Sequence, residues 1–234
     1  MIEPWRGIVA AGVLLAGAAA ATPAAAQLCN GLPFRSRGIV AASYLTGDAA
    51  DSPYVLREYG ASVARQLPGW SPFGTHQVVR AQGGVGRASF DTLTAATGPA
   101  HFAGNGGSVG VSYTVDVLPA SVTGEYVLCL SGGLQGQWWH VAGLGAGGVA
   151  APIWLSFGAP IRLGSLALFP HGSFGAYWRA VTGQAPDGPV RERGVRPWSD
   201  TGAGLMLGRA RLDAVLRHEL DTRERVVFSF GLEL

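Results

Sequence analysis

The chain has 234 residues, of which 48% are hydrophobic and only 14% charged, with a formal net charge of +2. Soluble domains carry about 25% charged residues, so an ordinary soluble surface is excluded, and so small a charge, without any basic run, gives no footing for nucleic acid. No stretch of the mature chain offers the about 20 apolar residues of a membrane-spanning helix, and abundant glycine, at about 1 kcal/mol per helical position, disfavours long helices, which leaves β-structure.

The amino terminus reads as an export signal. Arg6 leads an apolar stretch from Gly7 to Ala21, and Ala24-Ala25-Ala26 gives a small-residue cleavage pattern before Gln27. Residues 1–26 are therefore expected to be a signal peptide and 27–234 a single domain. Cys29 is preceded by Ala26-Gln27-Leu28, which is not a lipoprotein box. Cys29 and Cys129 form an even pair in an exported chain, which reads as one disulfide. Closing such a loop stabilises by about 4–5 kcal/mol in the chain-entropy view. No CxxC or HxxxH accompanies them, so neither a metal site nor a cofactor is expected.

Arg35 to Leu45 is a weak first strand, and Thr46 to Pro53 a polar loop. Tyr54 to Leu67 sets Tyr59, Ala61 and Val63 against Glu58, Gly60, Ser62 and Gln66, because a strand sends successive side chains to opposite faces. A turn at 68–74 leads into a third strand, Gln77 to Phe90, where Gly83-Gly84 blurs the facing and suggests a bulge. Asp91 to Asn105 reads as a long polar loop. Gly107 to Leu118 alternates most cleanly, with Val109, Val111, Tyr113, Val115 and Val117 on one face. In Glu125 to Trp138, Leu128, Leu130, Leu134 and Trp138 oppose Cys129, Ser131, Gln135 and Gln137.

His140 to Gly148 reads as a glycine-rich loop. Gly143, Gly145 and Gly148 match GxGxxG, but Pro152 and a strand follow where a dinucleotide site needs a helix. Ile153 to Leu163 and Leu166 to Arg179 alternate about a tight turn at Gly164-Ser165. Thr182 to Arg196 is the longest and most charged loop. Thr201 to Gly208 is a shorter strand, a turn follows near Arg209, and Leu212 to Glu219 alternates again. The final stretch, Val226 to Leu234, places Phe228, Phe230, Leu232 and Leu234 on one face and Val227, Ser229, Gly231 and Glu233 on the other. Chain ends normally fray, so this apolar end needs a core or lipid to rest on.

These segments make about ten strands of roughly 9–14 residues, with eight as the alternative, long enough to cross a bilayer at a tilt. An even count returns both ends to one side. Tight turns then gather on that side, and the loops at 46–53, 91–105, 139–148, 182–198 and 221–224 on the other. The face opposite the apolar one is Gly, Ser, Thr, Gln and scattered charge, which suits a narrow lumen, whereas a soluble barrel turns polar residues outward. Trp70, Trp138, Trp139, Trp178 and Trp198 fall near strand ends, as an interfacial girdle requires; Trp154 points inward by parity. A sheet in lipid must close.

On these features the chain resembles the small outer-membrane β-barrel proteins of Gram-negative bacteria, over almost all of its mature length. The resemblance implies an all-β, closed, antiparallel up-and-down transmembrane barrel located in the outer membrane, with membrane lipid as its surroundings. It also implies that Phe228, Phe230, Leu232 and Leu234 form the signal read by the barrel-insertion machinery, although this chain ends in Leu where the family more often ends in Phe. Barrels of this kind serve as structural proteins, pores, adhesins and, less often, enzymes.

The candidate lumen cluster is His171, Ser173, Arg179, Asp213, Arg217 and Glu219. A Ser, a His and a carboxylate that met in space could form a nucleophilic set. The GxSxG elbow is missing, however, because His171 stands where its first Gly would be, and a hydrogen-bonded lumen is the better reading. Inward arginines among Arg57, Arg65, Arg80, Arg162, Arg179, Arg217 and Arg225 are expected to pair with Asp116, Asp213, Glu219 and Glu233, since unpaired charge out of water is costly. The expected role is structural or binding through outer loops to an unidentified extracellular ligand, not catalytic. The alternatives are a narrow passive pore, a lipid-modifying enzyme and an exported soluble ligand-binding barrel.

Overall fold

A computed structural model describes residues 38–49, 52–67, 77–94, 98–118, 127–141, 144–185, 188–219 and 223–234. The expected export signal, Cys29 with the disulfide expected of it, and Trp70 lie outside the described residues. The strands are β1 (Gly38–Ala49), β2 (Ser52–Leu67), β3 (Gln77–Thr94), β4 (Gly98–Leu118), β5 (Val127–Val141), β6 (Leu144–Gly158), β7 (Ile161–Leu163), β8 (Leu166–Ala185), β9 (Gly188–Leu207), β10 (Ala210–Glu219) and β11 (Arg223–Glu233).

Consecutive strands pair antiparallel except β6 with β7, and β1 pairs with β11, so the first and last strands close the ring. β6 and β7 both pair with β8. They are one stave interrupted at Ala159-Pro160, where proline offers no N–H to a ladder. The result is a closed ten-strand barrel, so the eight-strand alternative is set aside. A closed ring leaves no unpaired sheet edge, which lipid demands.

Parity decides which way each side chain faces. Tyr59, Val63, Val85, Val109, Leu134, Ile153, Phe174, Leu212, Phe228, Phe230 and Leu232 are exposed on the outside. Glu58, Ser108, Gln135, Ser156, Asp213 and Ser229 are buried inside. Val115, beside a register shift between Asp116 and Leu118, is buried although its neighbours Val111 and Tyr113 are exposed. An apolar exterior around a polar interior is the inverse of a soluble barrel, and its stable surroundings are hydrocarbon.

Several expected loops are strand instead. β1 runs on to Ala49 and β2 begins at Ser52, so most of 46–53 is paired. The β3–β4 ladder reaches Thr94↔Gly98, the β5–β6 ladder Val141↔Leu144 and the β8–β9 ladder Ala185↔Gly188. The described parts of 91–105, 139–148 and 182–198 are therefore hairpin arms, and Gly145 and Gly148 lie in β6, in neither a glycine loop nor a nucleotide site. β4 has 21 residues and β8 and β9 have 20 each, whereas a crossing needs only about 9–11. The surplus projects on the side away from the termini. Beyond the lipid both strand faces are wet, so alternation stops and the sequence there looks like loop. No bulge falls at Gly83-Gly84: the pairs Gly60↔Gly84 and Ala61↔Gly83 continue an unbroken register.

On the termini side, Gly164 and Gly208 hold φ of 66° and 60° in the β7–β8 and β9–β10 turns, a region open to glycine at little steric cost. A different need applies at Gly204, directly opposite Phe169 in register. A Cβ there would lie 1.9 Å from the Phe169 ring, so the ring covers the glycine. Gly204→Ala should cost about 1–3 kcal/mol through overpacking. Gly194→Ala, where a Cβ meets nothing within 4 Å, is the control. Urea unfolding in micelles measures both; equal midpoints would refute the packing argument.

Candidate functional site

The inward face carries most of the chain's chemistry. One cross-strand row runs Arg225, Arg217, Asp200, Ser173, Ser156, Cys129, Asp116 through β11, β10, β9, β8, β6, β5 and β4. Strand stagger makes such a row climb the wall, so it joins the outer half of β11 to the base of β5. Within it Arg217 Nε and NH2 donate to Asp200 Oδ1 and Oδ2, both at 2.8 Å. This fork is the strong, directional form of an Arg–carboxylate bond. The same guanidinium lies 4.4 Å over the Trp198 ring, a cation–π contact.

The neighbouring row runs Glu219, Trp198, Gly175, Trp154, Ser131, Thr114. Gly175 sits between the two tryptophans, and its missing side chain lets their rings approach to 6.2 Å. Tyr177 donates to Glu219 at 3.2 Å, and Glu219 also faces Arg225 at 3.5 Å. Ala150, Trp154, Tyr177 and Trp198 form one buried apolar cluster. Trp139 is buried inside over Gly106 and Gly86. The expected aromatic girdle is thus corrected: among the described tryptophans Trp138 and Trp178 face outward, while Trp139, Trp154 and Trp198 fill the lumen. Adjacent Trp138 and Trp139 cannot share a face of a strand.

The six expected lumen residues all point inward. They divide into separate contacts. His171 Nε2 donates to Asp213 Oδ1 at 2.8 Å, with both side chains almost wholly buried. Ser173 Oγ donates to Ser156 Oγ at 3.2 Å, a bond to a second serine and not to the histidine. Arg179 binds Glu192, which also accepts from Arg196 at 3.1 Å. Sequence reading missed Asp200 and Glu192 as partners. Asp213 lies beside Arg211 and Glu219 beside Arg225. Arg57 and Arg65 prove to be outside, exposed. Cys129 is fully buried at its expected inward position.

Arg80 breaks the pairing rule. It is 1% exposed, and Nε and both terminal nitrogens have no hydrogen-bond partner among the described residues. Such a charge is costly to bury. Arg80→Met should therefore raise stability, on the order of 1 kcal/mol or more. A lowered urea midpoint in micelles would show that Arg80 is compensated after all.

No protein-family model matches the sequence, and no curated protein matches it. Among solved structures, the transport unit of the autotransporter AIDA-I from Escherichia coli superposes with a TM-score of 0.59 at 12% identity, covering 100% of this chain and 99% of that one. The chain has the fold of an outer-membrane β-barrel. The translocator domain of autotransporter NalP from Neisseria meningitidis aligns at 12% identity over 86% of this chain and 89% of that chain, TM-score 0.47. The outer-membrane protease OmpT from Escherichia coli aligns at 9% over 87% and 99%, TM-score 0.41. Likeness at these identities speaks for the fold and not for an activity. Fold and apolar exterior together place the chain in the outer membrane.

Proposed function

We propose that the protein is a sealed outer-membrane barrel whose role is to hold a β-hairpin platform above the membrane as a binding surface. The observation that carries this reading is the filled lumen. Arg217, Asp200, Trp154, Phe169 and Ser156 are each at most 2% exposed inside it, and a ten-strand barrel is narrow enough for side chains to fill. The long arms of β3–β4 and β8–β9 then become the accessible outer part, and a rigid support for exposed hairpins suits recognition of an extracellular ligand. Phe228, Phe230 and Leu232 face outward on β11, beside the closing seam with β1, and Leu234 is exposed just past its end, where an insertion machinery could read them.

Purified protein in planar bilayers is expected to give no steady unit currents. Regular large steps would favour the passive pore and end the sealed-barrel reading. The hydrolase alternative draws little support from Ser173, which is buried in the lumen and bonded to Ser156.

A further inference from the structure

The outside of the wall above β6, β8 and β9 combines features that the filled lumen does not use. In register, Trp138, Gly147, Thr182 and Arg191 form one outward row across β5, β6, β8 and β9. The next row toward the membrane centre is Gly136, Val149, Ala180, Arg193. Below these, Trp178, Val195 and Ile153 are all outward and exposed. Above them the outward residues of β8 and β9 turn polar or turn-forming, with Gln184 and Pro189 exposed. The two rows therefore straddle the level where hydrocarbon gives way to headgroups, and Trp138 and Trp178 mark that level as interfacial aromatics do.

A groove lies here, lined by Gly145, Gly147, Ala180 and Thr182 and bordered by Arg191 and Arg193. Its floor is open because Gly145 and Gly147 contribute no side chain. Both arginines are exposed. The carboxylates on the described part of β9, Glu192 and Asp200, have the inward parity, and they are taken by Arg179, Arg196 and Arg217. Two cations thus stand two residues apart on the lipid-facing side without an acidic neighbour on their own strand face. Like charges so placed repel unless an anion lies between them, and the planar guanidinium fork matches a phosphate.

We infer that this groove binds one phosphorylated lipid of the outer leaflet, its phosphate held by Arg191 and Arg193 and its acyl chains lying down the wall over Val149, Ile153 and Trp178. The occupant is a lipid rather than a soluble phosphate because the lower half of the site is apolar and faces hydrocarbon. The inference rests on the membrane placement and not on the platform role.

Native mass spectrometry of the full mature protein in detergent, titrated with lipid A, tests it. The wild type should retain one lipid adduct. The double variant Arg191→Gln/Arg193→Gln should weaken retention by about tenfold or more, as expected for loss of charge-assisted bonds. Gly147→Leu should weaken it too by filling the groove; a Cβ there meets only ordinary contact, 3.7 Å from Gln137 O, so the fold should tolerate it. Arg57→Gln/Arg87→Gln, on the far side of the rim, should bind as wild type. Heat-modifiable migration on a gel verifies that every variant is folded. Phosphate-free lipid A should bind weakly, and inorganic phosphate should not compete. Equal retention by wild type and the Arg191/Arg193 variant, equal binding of the phosphate-free lipid, or displacement by inorganic phosphate would each overturn the inference.

Discussion

Replacing Asp200 by Ala should destabilise the barrel by about 3–5 kcal/mol, the range for removing one partner of a buried ion pair. The side chains of Arg217 and Asp200 are 2% and 0% exposed, and Arg217 spends two donors on the two oxygens of Asp200. Alanine would leave the guanidinium over Trp198 beside an apolar gap, stripped of its bidentate counter-ion. The double variant Asp200→Leu/Arg217→Met should recover most of that loss, because two apolar side chains of similar volume need no desolvation to be repaid. Urea titration in micelles, followed by tryptophan fluorescence, measures both. A single variant within about 1 kcal/mol of wild type would mean that water reaches the pair and the lumen is wetter than its packing implies.

Leu134→Arg should cost about 2–4 kcal/mol, the range for an arginine facing lipid at the midplane of a barrel. Leu134 is 66% exposed near the middle of β5. Were the exterior in water, such a change would fall within about 0.5 kcal/mol of neutral. His140→Arg, farther up β5 beyond Trp138, should cost no more than about 1 kcal/mol because it sits near or past the interface. Refolding into phosphatidylcholine vesicles gives the comparison. If the two substitutions cost the same, hydrocarbon is not what surrounds the barrel.

What the sequence made legible was parity. Tyr59 against Glu58, Leu212 against Asp213 and Phe228 against Ser229 each fall on the face that alternation assigns, because lipid and lumen impose opposite demands on successive residues. Parity has one dimension, though, and contacts in a sheet depend on register as well. Arg217 meets Asp200 because they stand directly opposite between β10 and β9. A strand that begins at Thr201 hides that pairing; its alternation continued back through Asp200 and Trp198 sets them opposite Arg217 and Glu219. The outer arms were illegible for a different reason. Thr182 to Arg196 is rich in Gly, Pro and charge, which signals a loop wherever burial drives strand formation. Here the ladder between β8 and β9 is extended by its own backbone hydrogen bonds beyond the region where burial decides. Arg80 gave no warning at all, since inward parity makes a cation acceptable only if a partner faces it.

The seam between β1 and β11 has a consequence for assembly. Leu234 N donates to Gly38 O at 3.0 Å, and the two strands match residue for residue from Ile39↔Glu233 to Ala49↔Arg223. The last strand of the barrel is therefore the one that seals the first. A polypeptide lacking β11 would present two raw edges to the hydrocarbon, so there is no tolerable half-built intermediate exposed to lipid, and entry into the bilayer has to wait for that strand.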